Sequence, residues 1–165
     1  MKFTEKEMGA LYKIVRDHEE NIPKTEEEIH FDYHDNYEAF ADNKTIKSIL
    51  KKLDESLPVK EKEEIDKDFL RKKYDTFNNE IDERVYSKIE KAFNQLKTVE
   101  IKYFNMESAD FSKRNLDVYY KSRRYTIGYC HLRKGIRKFR THRIASAKLT
   151  NDSYKIPEDF HKSKY

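Results

Sequence analysis

Residues 113–148, KRNLDVYYKSRRYTIGYCHLRKGIRKFRTHRIASAK, decide how this chain is read, because their apolar positions recur at every second residue. Leu116, Val118 and Tyr120 alternate, and so do Tyr125, Ile127, Tyr129 and His131. Successive side chains of a strand point to opposite faces, so a period of two predicts strands. The tracts IRKFRTH (136–142) and ASAKLT (145–150) extend the pattern downstream, and Val99, Ile101 and Tyr103 extend it upstream from Thr98. Together they predict about five short strands. Gly135, inside LRKGIRK, marks a hairpin turn between two of them. Such a series following a helix reads as a small antiparallel sheet or barrel.

The same stretch carries Lys or Arg at 113, 114, 121, 123, 124, 133, 134, 137, 138, 140, 143 and 148 against a single acid, Asp117. The formal charge of +4 conceals this concentration. Residues 98–165 hold 16 Lys/Arg against 7 Asp/Glu, a net of +9, whereas residues 1–97 hold 19 against 24, a net of −5. Any polyanion is therefore met by the back half. Between Arg123 and Arg143 arginines outnumber lysines, at 123, 124, 133, 137, 140 and 143 against 134 and 138. A planar guanidinium binds phosphate bidentately and also stacks, so this ratio favours phosphate recognition over mere solubility.

Upstream the period is helical. Phe3, Met8, Leu11, Tyr12 and Val15 follow a capping box made by Thr4 and Glu7, which predicts a helix over 4–19 ending near Asn21 and Pro23. The segment 24–43 mixes Ile29, Phe31, Tyr33, Tyr37 and Phe40 with acids at no sustained period and reads mostly as loop. Ile46, Ile49, Leu50 and Leu53 predict a second helix that stops before Pro58. Residues 58–79 are a charge run with few apolar anchors, a solvated linker or surface helix. Ile81, Val85, Ile89, Ala92, Phe93 and Leu96 predict a strongly amphipathic helix over 80–97. In the tail, Pro157 followed by acids predicts a last helical turn.

Composition narrows the class. The chain has 165 residues, 36% hydrophobic and 40% charged, and its 12 Tyr and 10 Phe supply apolar area in large units. A thin, aromatic-rich core follows. Cys130 has no partner for an internal disulfide, and the N-terminus lacks the apolar run of a signal peptide or membrane span, so a cytoplasmic protein in a reducing compartment is expected. With only three glycines there is no phosphate loop, nucleophile elbow or paired-carboxylate pattern, and no enzyme activity or cofactor is expected. Cys130 and His131 are adjacent on a strand and face apart, which argues against a nucleophilic pair. His30, Asp32, His34 and Asp35 are metal-ligand types, but with no third histidine nearby no metal site is expected.

Three stretches, AFNQLKTVEIKYFN (92–105), SRRYTIGYCHLRKGIRKFRTHRI (122–144) and YKIPEDF (154–160), together resemble the WYL domain, the sensor module of many bacterial transcription regulators. The family pattern Arg-x-Phe-Arg-x-x-Arg-Ile is filled by Arg137, Phe139, Arg140, Arg143 and Ile144. At the eponymous triplet stand Arg124, Tyr125 and Thr126, so only the tyrosine is kept, and RNLDVYY lacks the usual proline of the preceding strand. The resemblance implies an α+β chain: a helical region over 1–79, then a WYL-like domain over 80–165, with a leading helix and an Sm-like, SH3-like antiparallel barrel of about five strands. Residues 3–15 look like the helical opening that follows the DNA-binding domain of such regulators. No helix-turn-helix fits upstream of residue 3, so the chain reads as a piece of a longer regulator or as a stand-alone sensor.

The reading that follows is a ligand-sensing regulatory domain that binds a nucleotide or single-stranded nucleic acid in a basic aromatic cleft. It would act on transcription through an attached or partner helix-turn-helix element, as a homo-oligomer that touches no membrane. Cationic grooves with stacking aromatics suit single strands. Arg137, Arg140 and Arg143 are the leading ligand contacts and are expected to converge, because a buried guanidinium without a partner is costly and local acids are scarce. Arg123, Arg124, Arg133, Tyr125 and His131 complete the candidate set. Ile127 and Tyr129 are expected inward as core, and Phe139 as packing. Two other classes fit the same features: a protein interaction or oligomerisation module, and a small constitutive RNA-binding Sm-like protein.

Overall fold

The computed structural model describes residues 3–21, 43–75 and 80–165. Of the segment 24–43 only Asn43 falls among them, so the expected loop and the His30, Asp32, His34 and Asp35 set lie outside the described residues. The chain divides into two compact units that part between Asp66 and Lys67.

The first unit holds α1 (Glu5–Asn21), α2 (Asn43–Ser56) and the start of α3 (Val59–Lys73). The capping box forms as expected: Thr4 N donates to Glu7 Oε2 at 2.7 Å and Glu7 N to Thr4 Oγ1 at 3.3 Å. Among its described residues, the buried apolar side chains are Tyr12, Ile46, Leu57 and Ile65. Ile65 explains why the charge run is helical: one apolar residue reaches the core while the charges around it stay in water. The Tyr12 hydroxyl donates to Asp66 Oδ1 at 3.1 Å. Burial, reinforced by the Asp66 charge, pushes the Tyr12 phenol up to about 12.

The second unit begins with the end of α3. It continues through α4 (Glu83–Gln95), which starts where Asp82 accepts from the amides of Arg84 and Val85 and ends at Leu96 in the left-handed region, φ 49°. Five strands follow: β1 (Lys97–Asn105), β2 (Asp110–Lys121), β3 (Tyr125–Cys130), β4 (Gly135–Arg140) and β5 (Ile144–Ser153). They form one antiparallel sheet in the order β4-β3-β2-β1-β5. Val85, Ile89 and Ala92 of α4 pack on Val99, Ile101, Leu116, Val118, Cys130, Phe139, Ile144 and Ala147. Phe139 on one edge strand and Ile144 and Ala147 on the other share this core, so the sheet curls strongly. The ladder does not join β4 to β5, however; the sheet is open, and backbone pairing does not close the expected barrel.

Two local expectations change. On β3 the inward residues are Thr126, Gly128 and Cys130, while Tyr125 and Tyr129 stand half-buried on the other face with Ile127 buried between them. The reason is space. A Cβ built at Gly128 would lie 2.0 Å from the Asp117 carbonyl oxygen of the neighbouring strand, so the concave side of β3 admits only small residues. In the β3–β4 connection, a 3₁₀ turn over His131–Arg133, the left-handed residue is Lys134 (φ 49°), and Gly135 is already paired with Cys130 as the first residue of β4. In the tail, Phe160 N donates to the Pro157 carbonyl at 3.0 Å and a 3₁₀ turn spans Lys162–Lys164.

The opposite face of the sheet carries its own aromatic packing. Tyr74 stacks on Phe104 with centroids 4.7 Å apart and meets Phe111 edge-on at 5.6 Å. Tyr119 packs against Tyr154 and Phe160, and the Tyr154 hydroxyl donates to the Val118 carbonyl. Among the described residues no helix is long and apolar enough to cross a membrane.

Candidate functional site

Alternation along β4 divides the basic tract. Arg137 and Phe139 pair with Gly128 and Thr126 and share the concave face, whereas Lys138 and Arg140 pair with Ile127 and Tyr125 and share the convex one. The arginines expected to converge therefore do not. They go to three places, and two basic clusters result.

The convex cluster centres on Tyr125. Lys138 Nζ lies 4.5 Å from its ring centroid, Arg124 Cζ 5.3 Å and Arg140 Cζ 5.4 Å, all within cation–π range. The position of this ring is fixed by the two connections that flank it. In the β2–β3 turn, Ser122 N donates to the Tyr125 carbonyl at 2.8 Å and Tyr125 N to Ser122 Oγ at 3.0 Å. Buried Thr141, in the 3₁₀ turn Thr141–Arg143 between β4 and β5, ties the two turns together. Its amide donates to the Arg124 carbonyl at 3.2 Å, its hydroxyl donates to the Ser122 carbonyl at 2.9 Å, and that hydroxyl lies 3.1 Å from Thr126 Oγ1.

The concave cluster surrounds an opening of about 420 Å³ lined by Tyr103, Asn105, Arg114, Arg133, Arg137, Lys138 and Phe139. Tyr103 and Phe139 meet edge-on, 5.0 Å apart at 77°. Arg114 lies 5.9 Å from the first ring and 5.8 Å from the second, and its Nε donates to Ser112 Oγ at 3.0 Å.

The remaining candidates have protein partners. Arg123 forms a forked pair with Glu83, at 2.5 and 3.2 Å, and lies over Tyr86. Arg143 Nε donates to the Tyr74 carbonyl at 3.3 Å beside His142 Nε2, which is 3.2 Å from the same oxygen. His131 Nε2 sits 2.9 Å from Asp117 Oδ1, whose other neighbour is the Thr98 hydroxyl at 2.6 Å. Burial lowers the His142 pKa, and the charges of Arg143 and Arg140 add to the effect against the bond to Tyr74. The structure thus brings together Arg124, Tyr125 and Arg140, adding Lys138, and separately Arg133 and Arg137, adding Arg114, Tyr103 and Asn105. Arg114 was legible in principle: it shares the parity of Leu116, so it faces inward just past the apolar core. Among the described residues no three His, Cys, Asp or Glu side chains gather as a metal site.

The fold is a curled five-stranded sheet with a leading helix on its core and basic aromatic clusters along one edge strand. Residues 84–149 match the family model of the WYL domain. Among solved structures it is similar to proteasome accessory factor B/C (PafBC) of Arthrobacter aurescens, with a TM-score of 0.38 and 16% identity over 93% of this chain. The match spans about a fifth (21%) of that structure's own length. No curated protein matches the sequence significantly.

Proposed function

We propose that the WYL domain is the effector-sensing part of a transcription regulator, and that its effector is a nucleotide or a single-stranded nucleic acid held at the Tyr125 cluster. The observation that carries this reading is the convergence of Arg124, Lys138 and Arg140 on one half-buried tyrosine ring. Each cation–π contact contributes only about 0.5–1 kcal/mol at an exposed site. A phosphate offers each cation a charge-assisted hydrogen bond roughly twice as strong as a neutral one, so an incoming phosphate displaces the cations from the ring and frees its face for a base. The turns laced by Thr141 keep the site preorganised. Binding rather than chemistry is proposed, since no nucleophile–base pair is present among the residues of the cluster.

Regulation requires an output that differs between free and bound states. The proposed route is a DNA-binding element joined to or partnered with this chain, with copies associating through the helical unit. Exposed Phe3, Ile14 and Val59 on that unit support an apolar partner surface. The Sm-like barrel reading is supported by the shared core of β4 and β5, with curvature taking the place of a closing ladder.

Fluorescence anisotropy with a labelled short single-stranded oligonucleotide tests the site. Arg124→Ala and Arg140→Ala are each expected to weaken binding about tenfold and to reduce the salt slope by about one phosphate contact. Arg123→Ala, whose guanidinium is committed to Glu83, is expected to leave the slope unchanged. Absence of binding to oligonucleotide or mononucleotide at low salt would end the proposal.

A further inference from the structure

Apart from Lys138, which also lies over Tyr125, the concave cluster is built from residues that the Tyr125 site does not use. Arg114 comes from β2, Arg133 from the β3–β4 connection and Arg137 from β4, and all three line one opening of about 420 Å³ with Lys138 at its border. No Asp or Glu lines it, and among the described residues none of the three arginines is ion-paired. Arg123 shows how this chain treats a cation whose role is structural, by setting a carboxylate against it. Three like charges held around one concavity repel each other, and what offsets the repulsion is a multiply charged anion.

One wall is also fixed in a way that scattered surface cations are not. Arg114 is half-buried, anchored through Nε to Ser112, and backed by the rings of Tyr103 and Phe139. The Tyr103 hydroxyl accepts from the Arg140 amide at 3.4 Å, which joins β1 to the end of β4. The volume lies in the range of small-ligand sites, roughly 300–1,000 Å³. Asn105, whose Oδ1 accepts from the Glu107 amide at 3.1 Å, has its amide NH2 to offer as a donor at the rim.

We infer that the concave face is a second anion site, sharing only Lys138 with the Tyr125 cluster, for a small ligand carrying two or more linked phosphates. One phosphate is satisfied by one or two guanidinium forks; three forks on three segments match a di- or triphosphate, whose oxygens spread over the distance between those segments. Two sources offer that chemistry, inorganic polyphosphate and a nucleoside di- or triphosphate, and Asn105 with the Tyr103 ring gives the second a place for its base.

Isothermal titration calorimetry on the full chain at low salt, with inorganic tripolyphosphate, ATP, AMP and a hexaglutamate peptide as probes, decides the matter. Tripolyphosphate and ATP are expected to bind, AMP at least about tenfold more weakly, and Arg133→Ala and Arg137→Ala to weaken both ligands by about tenfold each. Both arginines are exposed, so the variants are expected to melt like the parent when no ligand is present. ATP binding tighter than tripolyphosphate assigns the site to a nucleotide, and equal affinity assigns it to polyphosphate; either outcome upholds the linked-phosphate chemistry. The Arg124→Ala/Arg140→Ala double variant is expected to bind tripolyphosphate as the parent does, which keeps this result separate from failure or success of the Tyr125 reading. The inference is overturned if neither tripolyphosphate nor ATP binds, if AMP or hexaglutamate binds the Arg124→Ala/Arg140→Ala variant as well as tripolyphosphate does, or if that variant loses tripolyphosphate binding while Arg133→Ala and Arg137→Ala keep it.

Discussion

The two basic clusters lie on opposite faces of the same short edge strand and are assembled in different ways. Around Tyr125, residues close in sequence are gathered by two turns, and the cations rest on a ring. On the concave side, residues from β1, β2 and β4 meet only because the register sets Arg137 opposite Gly128 and Arg114 opposite Ile101, and they surround a space instead of a ring. The first is a product of local turn chemistry and the second of strand pairing. Disturbing one mechanism should therefore separate the clusters, while disturbing what both share should remove them together.

The largest effect is expected at Gly128, which both depend on. Gly128→Ala forces a methyl to within 2.0 Å of a backbone carbonyl that has no rotamer to yield, and should cost about 3 kcal/mol or more. Urea denaturation is expected to show the lower midpoint, and oligonucleotide and tripolyphosphate binding should fall together. A variant with parental stability would show that the β2–β3 spacing relaxes easily and that the inward face of β3 is not size-limited.

Thr141→Val sharpens the contrast. It removes a buried hydroxyl that donates to Ser122 and contacts Thr126, leaving a carbonyl and a hydroxyl without their partner, at a cost of roughly 1–3 kcal/mol. Because the lost bonds hold only the turns beside Tyr125, oligonucleotide affinity should drop while tripolyphosphate affinity stays within about twofold. Equal losses at both sites would mean that the clusters are not separately built.

The smallest effect is a pH dependence. Burial, with Arg143 and Arg140 nearby, lowers the His142 pKa below the ordinary value of 6.5, against the opposing influence of the Tyr74 carbonyl and Asp75, so the fold favours the neutral ring. In the unfolded chain it gains its proton near about 6.5. Its stabilising contribution is thus complete above that pH and is lost as the pH falls toward the folded-state value. Stability measured from pH 7 to pH 5 should decline less steeply in His142→Asn than in the parent; an identical slope would remove His142 from the account.

Much of the second unit was legible in the sequence, because a period of two is hard to mistake in LDVYY and YTIGYC, and the helix ending at Leu96 has a strong apolar stripe. Barrel closure was not, since nothing in the pattern of β4 or β5 tells whether two edges pair or only share a core. The facing of β3 misled for a physical reason: large aromatic residues usually mark the inward side, but here the curl leaves room only for Thr126, Gly128 and Cys130. The site was legible in part. Arg124, Tyr125 and Arg140 are neighbours through turns that sequence spacing reveals, whereas Arg114 joins Arg137 only across intervening strands. The carboxylates that occupy Arg123 and His131, Glu83 and Asp117, belong to other elements, and no local rule could have assigned them.

One feature of the ladder makes the two clusters interdependent. Gly135–Arg140 pairs with a neighbouring strand along one flank only, and its last four residues supply parts of both sites. A slip of that ribbon by a single residue would exchange Arg137 and Phe139 with Lys138 and Arg140, emptying both sites at one stroke. Whatever clamps the ribbon from either side therefore holds it for the other, and two chemically separate occupants become partners in keeping the same edge in place.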